Sequence, residues 1–262
     1  MKRAYADVPE GQIHYRIEGD GEPLILVHMV GCSSRQYIRM LPFLSKTYRA
    51  IALDLPGSGQ SYKPSCEYQI RDYARSVVNF MDSLKIDKAS FVGHHAGAKV
   101  VVEVAAIWPD RVNKLVLSSL PHYQDEEERI LFGKDPAYKQ LEADPDGWHL
   151  IEWWRRAKRY GDPVEVVTER VLDFHMGGAK GEFHWAASAY SPRLKTTLPL
   201  IKCPTLVLSG TLDRFCSVVE DIKRFIPRSK MTIIENAGVY VDRVMPKESA
   251  EAILSFLENP GV

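Results

Sequence analysis

Short apolar runs recur along this chain at the spacing of strands separated by helices, and that rhythm limits the fold more than any other feature. The runs AYADV, IHYRIE, LILVH and YRAIALDL come first, and ASFVG, VNKLVLSS, PTLVLSG and SKMTIIEN follow. Helical text lies between the later ones. YQIRDYARSVVNFMDSLKI carries Tyr73, Val77, Phe80, Met81 and Leu84 at helical spacing, and AKVVVEVAAIWP stops at Pro109. Strands alternating with helices build parallel βαβ units, so the predicted fold is α/β with a mostly parallel, doubly wound sheet. From 121 to 198 the rhythm lapses into charged, Trp-rich text such as PDGWHLIEWWRRAKRYG. The expected organisation is a core of residues 1–120 and 199–262 with a helical lid over 121–198. Such a lid would cover the carboxyl ends of the strands, where open α/β sheets bind ligands.

Composition narrows the partners. The 262 residues carry no formal net charge and no basic run, so neither nucleic acid nor an acidic membrane surface is expected. No apolar stretch is long enough for a membrane span, and the start MKRAYADVPEGQ lacks the apolar centre of a signal peptide. Cys32, Cys66, Cys203 and Cys216 are scattered without a C-x-x-C pair, which reads as free thiols in a reducing cytoplasm. No histidine pair has metal-ligand spacing, and the GSG of DLPGSGQS lacks the spacing of a phosphate cradle. No metal or cofactor is therefore expected, and the partner is a small molecule, with the protein a monomer or homodimer.

The stretch FVGHHAGAKV, Phe91 to Val100, reads as a strand, a turn between Gly93 and Gly97, and a helix start. With it, the chain resembles the α/β-hydrolase fold family through landmarks in order. LILVHMVGCSS matches the loop after the third strand, DLPGSGQS the glycine turn, and VGHHAGAKV the nucleophile elbow. LVLSGTLDRF matches the strand and loop of the acid, and NAGVYVDRVMP the loop of the catalytic histidine. The resemblance assigns the serine position to His95, the acid position to Asp213 and the histidine position to Val239. It also places Met29 where a glycine is usual, whose backbone conformation a methionine would resist. A Ser-His-Asp acyl transfer in its usual form is excluded, because both the hydroxyl and its base are gone.

The elbow implies oxyanion donors that do not depend on side chains, the backbone N–H groups of Ala96 and Val30. The vacated imidazole space leads to the expectation that His95 reaches Asp213 directly. Asp213 would then fix the ring's tautomer and raise its basicity, leaving the far nitrogen as a general base. Cofactor-free hydrolysis of an activated ester or lactone, or lyase or isomerase chemistry through an enolate, would follow. The competing reading is a catalytically inactive relative that binds a small ligand or a partner. Pocket candidates are His28, Met29, Cys32, His122, Trp154, Val239 and Tyr240. His94 is expected to point away from the pocket.

Overall fold

The computed structural model describes residues 1–122, 144–158, 163–176 and 182–261. Its strands are β1 (Lys2–Val8), β2 (Gly11–Glu18), β3 (Glu22–Val27), β4 (Tyr48–Leu53), β5 (Ala89–His94), β6 (Val112–Ser118), β7 (Thr205–Gly210) and β8 (Ser229–Ile234). They form one sheet in the order β1-β2-β4-β3-β5-β6-β7-β8. Pairing is parallel from β4 through β8, while β1 and β2 run antiparallel at one edge. Every strand anticipated from the apolar runs is present. Strands β5 and β7 are buried along their whole length, as a parallel sheet covered on both faces requires.

The two-residue period of a strand divides the core. On β3, Ile25 and Val27 join Phe91, Val101 and Val104 on one face, while Leu24 and Leu26 join Val92, Leu208 and Phe256 on the other. Each such fully buried side chain contributes roughly 1.5–3 kcal/mol, so the sheet and its helices hold the site rigidly. The helices flanking the sheet are α1 (Ile70–Ser83), α2 (Ala96–Ile107), α6 (Val219–Phe225) and α7 (Pro246–Glu258). Helix α1 starts with a reciprocal cap between Gln69 and Asp72, and its apolar stripe buries Tyr73, Val77, Phe80 and Met81. No helix among the described residues is long and apolar enough to cross a membrane.

Between 121 and 198 lie α3 (Trp148–Lys158), α4 (Val164–Met176) and α5 (Glu182–Tyr190). The stretch 123–143 lies outside the described residues. Two buried charges on α2 tie α5 to the core. Lys99 Nζ donates to Ala187 O at 2.9 Å and Ser191 Oγ at 2.6 Å, at the carboxyl end of α5. One turn on, Glu103 accepts from the Tyr190 hydroxyl at 2.6 Å. A cation suits that helix end because the unpaired carbonyls there carry partial negative charge.

Candidate active site

Strand β5 ends at His94 and α2 begins at Ala96, leaving His95 alone at the elbow with φ 52° and ψ −115°. A non-glycine residue there carries about 1–3 kcal/mol of strain, which the surroundings must over-determine. Gly93 and Gly97 are part of that constraint. A Cβ on Gly97 would collide with the carbonyls of Val27 and His28, and one on Gly93 would lie 2.6 Å from Ala98 Cα. The G-x-x-x-G spacing thus allows α2 to start directly against the ends of β3 and β5. The His95 N–H donates to Ser118 O at 2.8 Å, and its carbonyl accepts from Ala98 N–H at 3.0 Å. Among the described residues, no acceptor takes the N–H of Ala96 or of Val30. Both expected oxyanion donors are therefore uncommitted there.

The loop after β3 is braced from within. His28 is fully buried, and its Nε2 accepts from Leu55 N–H at 3.0 Å. That leaves the proton on Nδ1, which donates to Met29 O at 2.7 Å. Burial holds its pKa below the ordinary 6.5, so the ring is a neutral strut. Met29 N–H donates to Gln36 Oε1 at 3.1 Å. The left-handed residue of this loop is Gly31, at φ 67°, and not Met29. Methionine in place of the usual glycine is therefore accommodated without the expected backbone strain.

Asp213 does not sit as expected. Its Oδ1 accepts from Phe215 N–H at 3.0 Å and its Oδ2 from Ser209 Oγ at 3.2 Å. Among the described residues its carboxylate makes no hydrogen bond to His95, so the direct dyad bond is not formed. Asp213 instead fixes the Phe215 backbone, and the Phe215 ring meets the His95 ring edge-on at 5.5 Å. The basicity of His95 moves opposite to the expectation. Burial lowers its pKa well below 6.5, and His94, Lys99, His184 and Arg214 push it further down. The ring is a neutral imidazole at physiological pH.

The Val239 segment is packed into the protein. Val239 lies against a small apolar cluster of Met29, Cys32 and Tyr240, and the guanidinium of Arg170 sits 4.0 Å from the centre of the Tyr240 ring. Cys32 is buried, and that burial pushes its thiol up to about 11 even though Arg243 pulls the other way. It is not an activated nucleophile at neutral pH. His122 is buried with its ring 6.0 Å from that of Phe225 on α6. Trp154 is half-buried under the Lys158 ammonium, whereas Trp153 is buried against Phe174. Adjacent helical residues are 100° apart, so only one of the pair can face inward. His94, on β5, pairs its Nδ1 with Ser118 Oγ at 3.0 Å.

Sequence reasoning missed several polar residues around the site. Lys99 and Glu103 did carry a signal, two charges one turn apart in an otherwise apolar helix. Asp173, Arg35 and Arg243 carried none, because they meet only in three dimensions. Among the described residues no cluster of three His, Cys, Asp or Glu side chains is placed to hold a metal ion.

The chain is 26% identical over 257 residues to (E)-2-((N-methylformamido)methylene)succinate hydrolase of Acinetobacter baylyi, covering 94% of each chain. It is 26% identical over 260 residues to 2-(acetamidomethylene)succinate hydrolase of Mesorhizobium japonicum, covering 96% of this chain and 94% of that one. The crystal structure of the enol-lactonase from Burkholderia xenovorans LB400 superposes with a TM-score of 0.77 at 21% identity, over 97% of this chain and all of the other. The profile of the alpha/beta hydrolase fold matches residues 22–241, from β3 past the elbow and the acid loop to Val241. With the mostly parallel sheet and the strained elbow in place, the chain belongs to the alpha/beta hydrolase fold family.

Proposed function

We propose that this protein hydrolyses an activated carbonyl of a small molecule without a serine nucleophile, using His95 as a general base toward water. The observation that carries the reading is a buried imidazole, neutral at physiological pH, held at a positive-φ elbow beside the uncommitted Ala96 N–H. Water would give a proton to His95 as its oxygen bonds to the carbonyl carbon. The resulting oxyanion would lie within the field of the Ala96 and Val30 N–H groups, which cost no reorganisation because they are fixed by the fold. Collapse breaks the bond to the leaving atom, which takes the proton back from the imidazolium.

A lowered pKa makes His95 a weak base, and that favours substrates whose leaving group is already stable. The relatives point the same way. Their names describe amides carried on a methylene carbon of succinate and an enol lactone, in which the acyl group sits on a vinylic nitrogen or oxygen. Expelling such a group gives a delocalised enolate or enamine-type anion. The same base acting on an acidic C–H would give lyase or isomerase chemistry, but the hydrolase relatives favour attack by water. Asp213 would act as a positioning residue, through Phe215.

The test is turnover of an enol lactone, an N-acyl enamine and an activated ester by the purified protein and by His95→Ala. General-base removal should cost about 10²–10⁴-fold in kcat. Equal turnover by both proteins would overturn the assignment, and an absence of turnover on every substrate would point to a binding protein.

A further inference from the structure

A cluster of buried charge joins the lid to the loop that carries Val30. Asp173, on α4, has a fully buried carboxylate. Its Oδ1 accepts from Ser33 Oγ at 3.0 Å and pairs with Arg35 Nε at 3.0 Å, and its Oδ2 accepts from Arg243 Nη2 at 2.8 Å. One turn earlier on α4, Glu169 pairs with Arg39 at 2.9 Å and with Arg243 at 3.7 Å. Arg243 is 1% exposed and also donates to Cys32 Sγ at 3.4 Å. The next residue on α4, Phe174, packs against Gly31, where an added Cβ would lie 2.9 Å from the ring.

We infer that Asp173 is a positioning residue, which holds the Met29–Ser34 loop in the form that presents the Val30 N–H and couples that form to docking of α4. This rests on the hydrolytic reading above. Gly31 and Ser33 both lie within the loop, and α4 touches both. Arg243 follows the Val239–Tyr240 segment, so one carboxylate links the Met29–Ser34 loop to that segment. A buried charge with three partners is also selective. Removing the carboxylate takes the acceptor from Ser33 Oγ and the 2.8 Å ion pair from the buried Arg243, so pairing of these groups and docking of α4 go together. The role of Asp173 is indirect, since it acts on the oxyanion donor and not on the reacting atoms.

The experiment compares Asp173→Asn and Ser33→Ala with Tyr190→Phe, which loosens the other lid anchor at Glu103 without touching the loop. Amide hydrogen exchange of the peptide spanning Met29–Gln36 should rise roughly tenfold in the first two variants and stay unchanged in the third. On a substrate that His95→Ala fails to turn over, kcat should fall roughly 10-fold to 100-fold in Asp173→Asn with KM moving far less. Ser33→Ala should fall less, with an unchanged melting temperature. Unaltered exchange in Ser33→Ala and Asp173→Asn, or exchange raised equally by Tyr190→Phe, would overturn the inference. The exchange arm needs no turnover, so it also stands if the hydrolytic reading fails. If His95→Ala abolishes turnover while Asp173→Asn changes only stability, the inference fails and the hydrolytic reading survives.

Discussion

The molecule contains a directly bonded, buried histidine–aspartate pair, and it is not the one at the elbow. His14 of β2 and Asp54 of the glycine turn meet at 2.9 Å, both nearly inaccessible. Asp54 also accepts from Ser34 N–H at 2.6 Å and Gln60 N–H at 2.9 Å. His95 and Asp213, which the elbow and acid loop bring to one end of the sheet, make no such bond. The difference separates two uses of the same residue types. At Asp54 a carboxylate is surrounded by donors and ties β2, the turn and the loop after β3 into one body. At Asp213 the carboxylate is spent on its own loop, and the histidine is left neutral by burial. The first arrangement is suited to holding the fold; in the second the carboxylate braces its own loop, and burial rather than a bonded Asp213 sets the state of the histidine ring.

Removing the carboxylate at each place should separate the two most sharply. Asp54→Ala strips three donors and should cost about 3–5 kcal/mol in chemical denaturation. Any fraction that stays folded should keep its turnover. If Asp54→Ala leaves stability intact but abolishes turnover, the comparison is wrong and the Asp54 pair belongs to the chemistry.

Acid should then act on the two pairs in different windows. Burial pushes the Asp54 carboxyl up, but hydrogen bonds involving His14, Ser34 and Gln60 outweigh it and leave the pKa below its ordinary 3.8. Its stabilisation is therefore complete above 3.8 and is lost as pH falls through the lower folded value. His95 is also lowered, from 6.5. The unfolded chain takes up a proton below 6.5 that the folded one refuses, so stability begins to decline there and its share is lost by the folded value. Turnover should be flat from neutral to alkaline pH and fall only well below 6.5, where folded His95 itself protonates. A kcat profile that rises through 6.5 or above would show that Asp213 raises the ring's basicity after all.

The smallest effect is expected from Asp213→Asn. Because the carboxylate acts through Phe215, kcat should drop only about threefold to tenfold, against the about 10²–10⁴-fold of His95→Ala. Equal losses in the two variants would restore a direct dyad.

How much of this was legible follows from distance along the chain. The elbow was readable because its requirements are local. Gly93 and Gly97 flank His95 by two residues, and the strand and helix on either side carry their own periodicity. Met29 was misread as strained because the sequence does not show that the loop's left-handed turn falls two residues later, on Gly31. The sequence does not separate Trp153 from Trp154 as the buried one, because the phase of their helix is set by neighbours distant in the chain. The charge contacts around the site were illegible for a plainer reason. Asp173 is 140 residues from Ser33 and 70 from Arg243, and His14 is 40 from Asp54.

The sequence alone determined the strand–helix rhythm, the sheet built on it, and the elbow between Gly93 and Gly97 with His95 at its centre. Each is set by side-chain periodicity or by steric demands within a few residues. Only the tertiary structure decided which aspartate pairs with which histidine, that His95 is neutral through burial, and that α4 reaches the loop of Val30 through Asp173. Electrostatic contacts depend on separations of a few ångströms between segments that the chain brings together only when folded, and no local pattern records those separations.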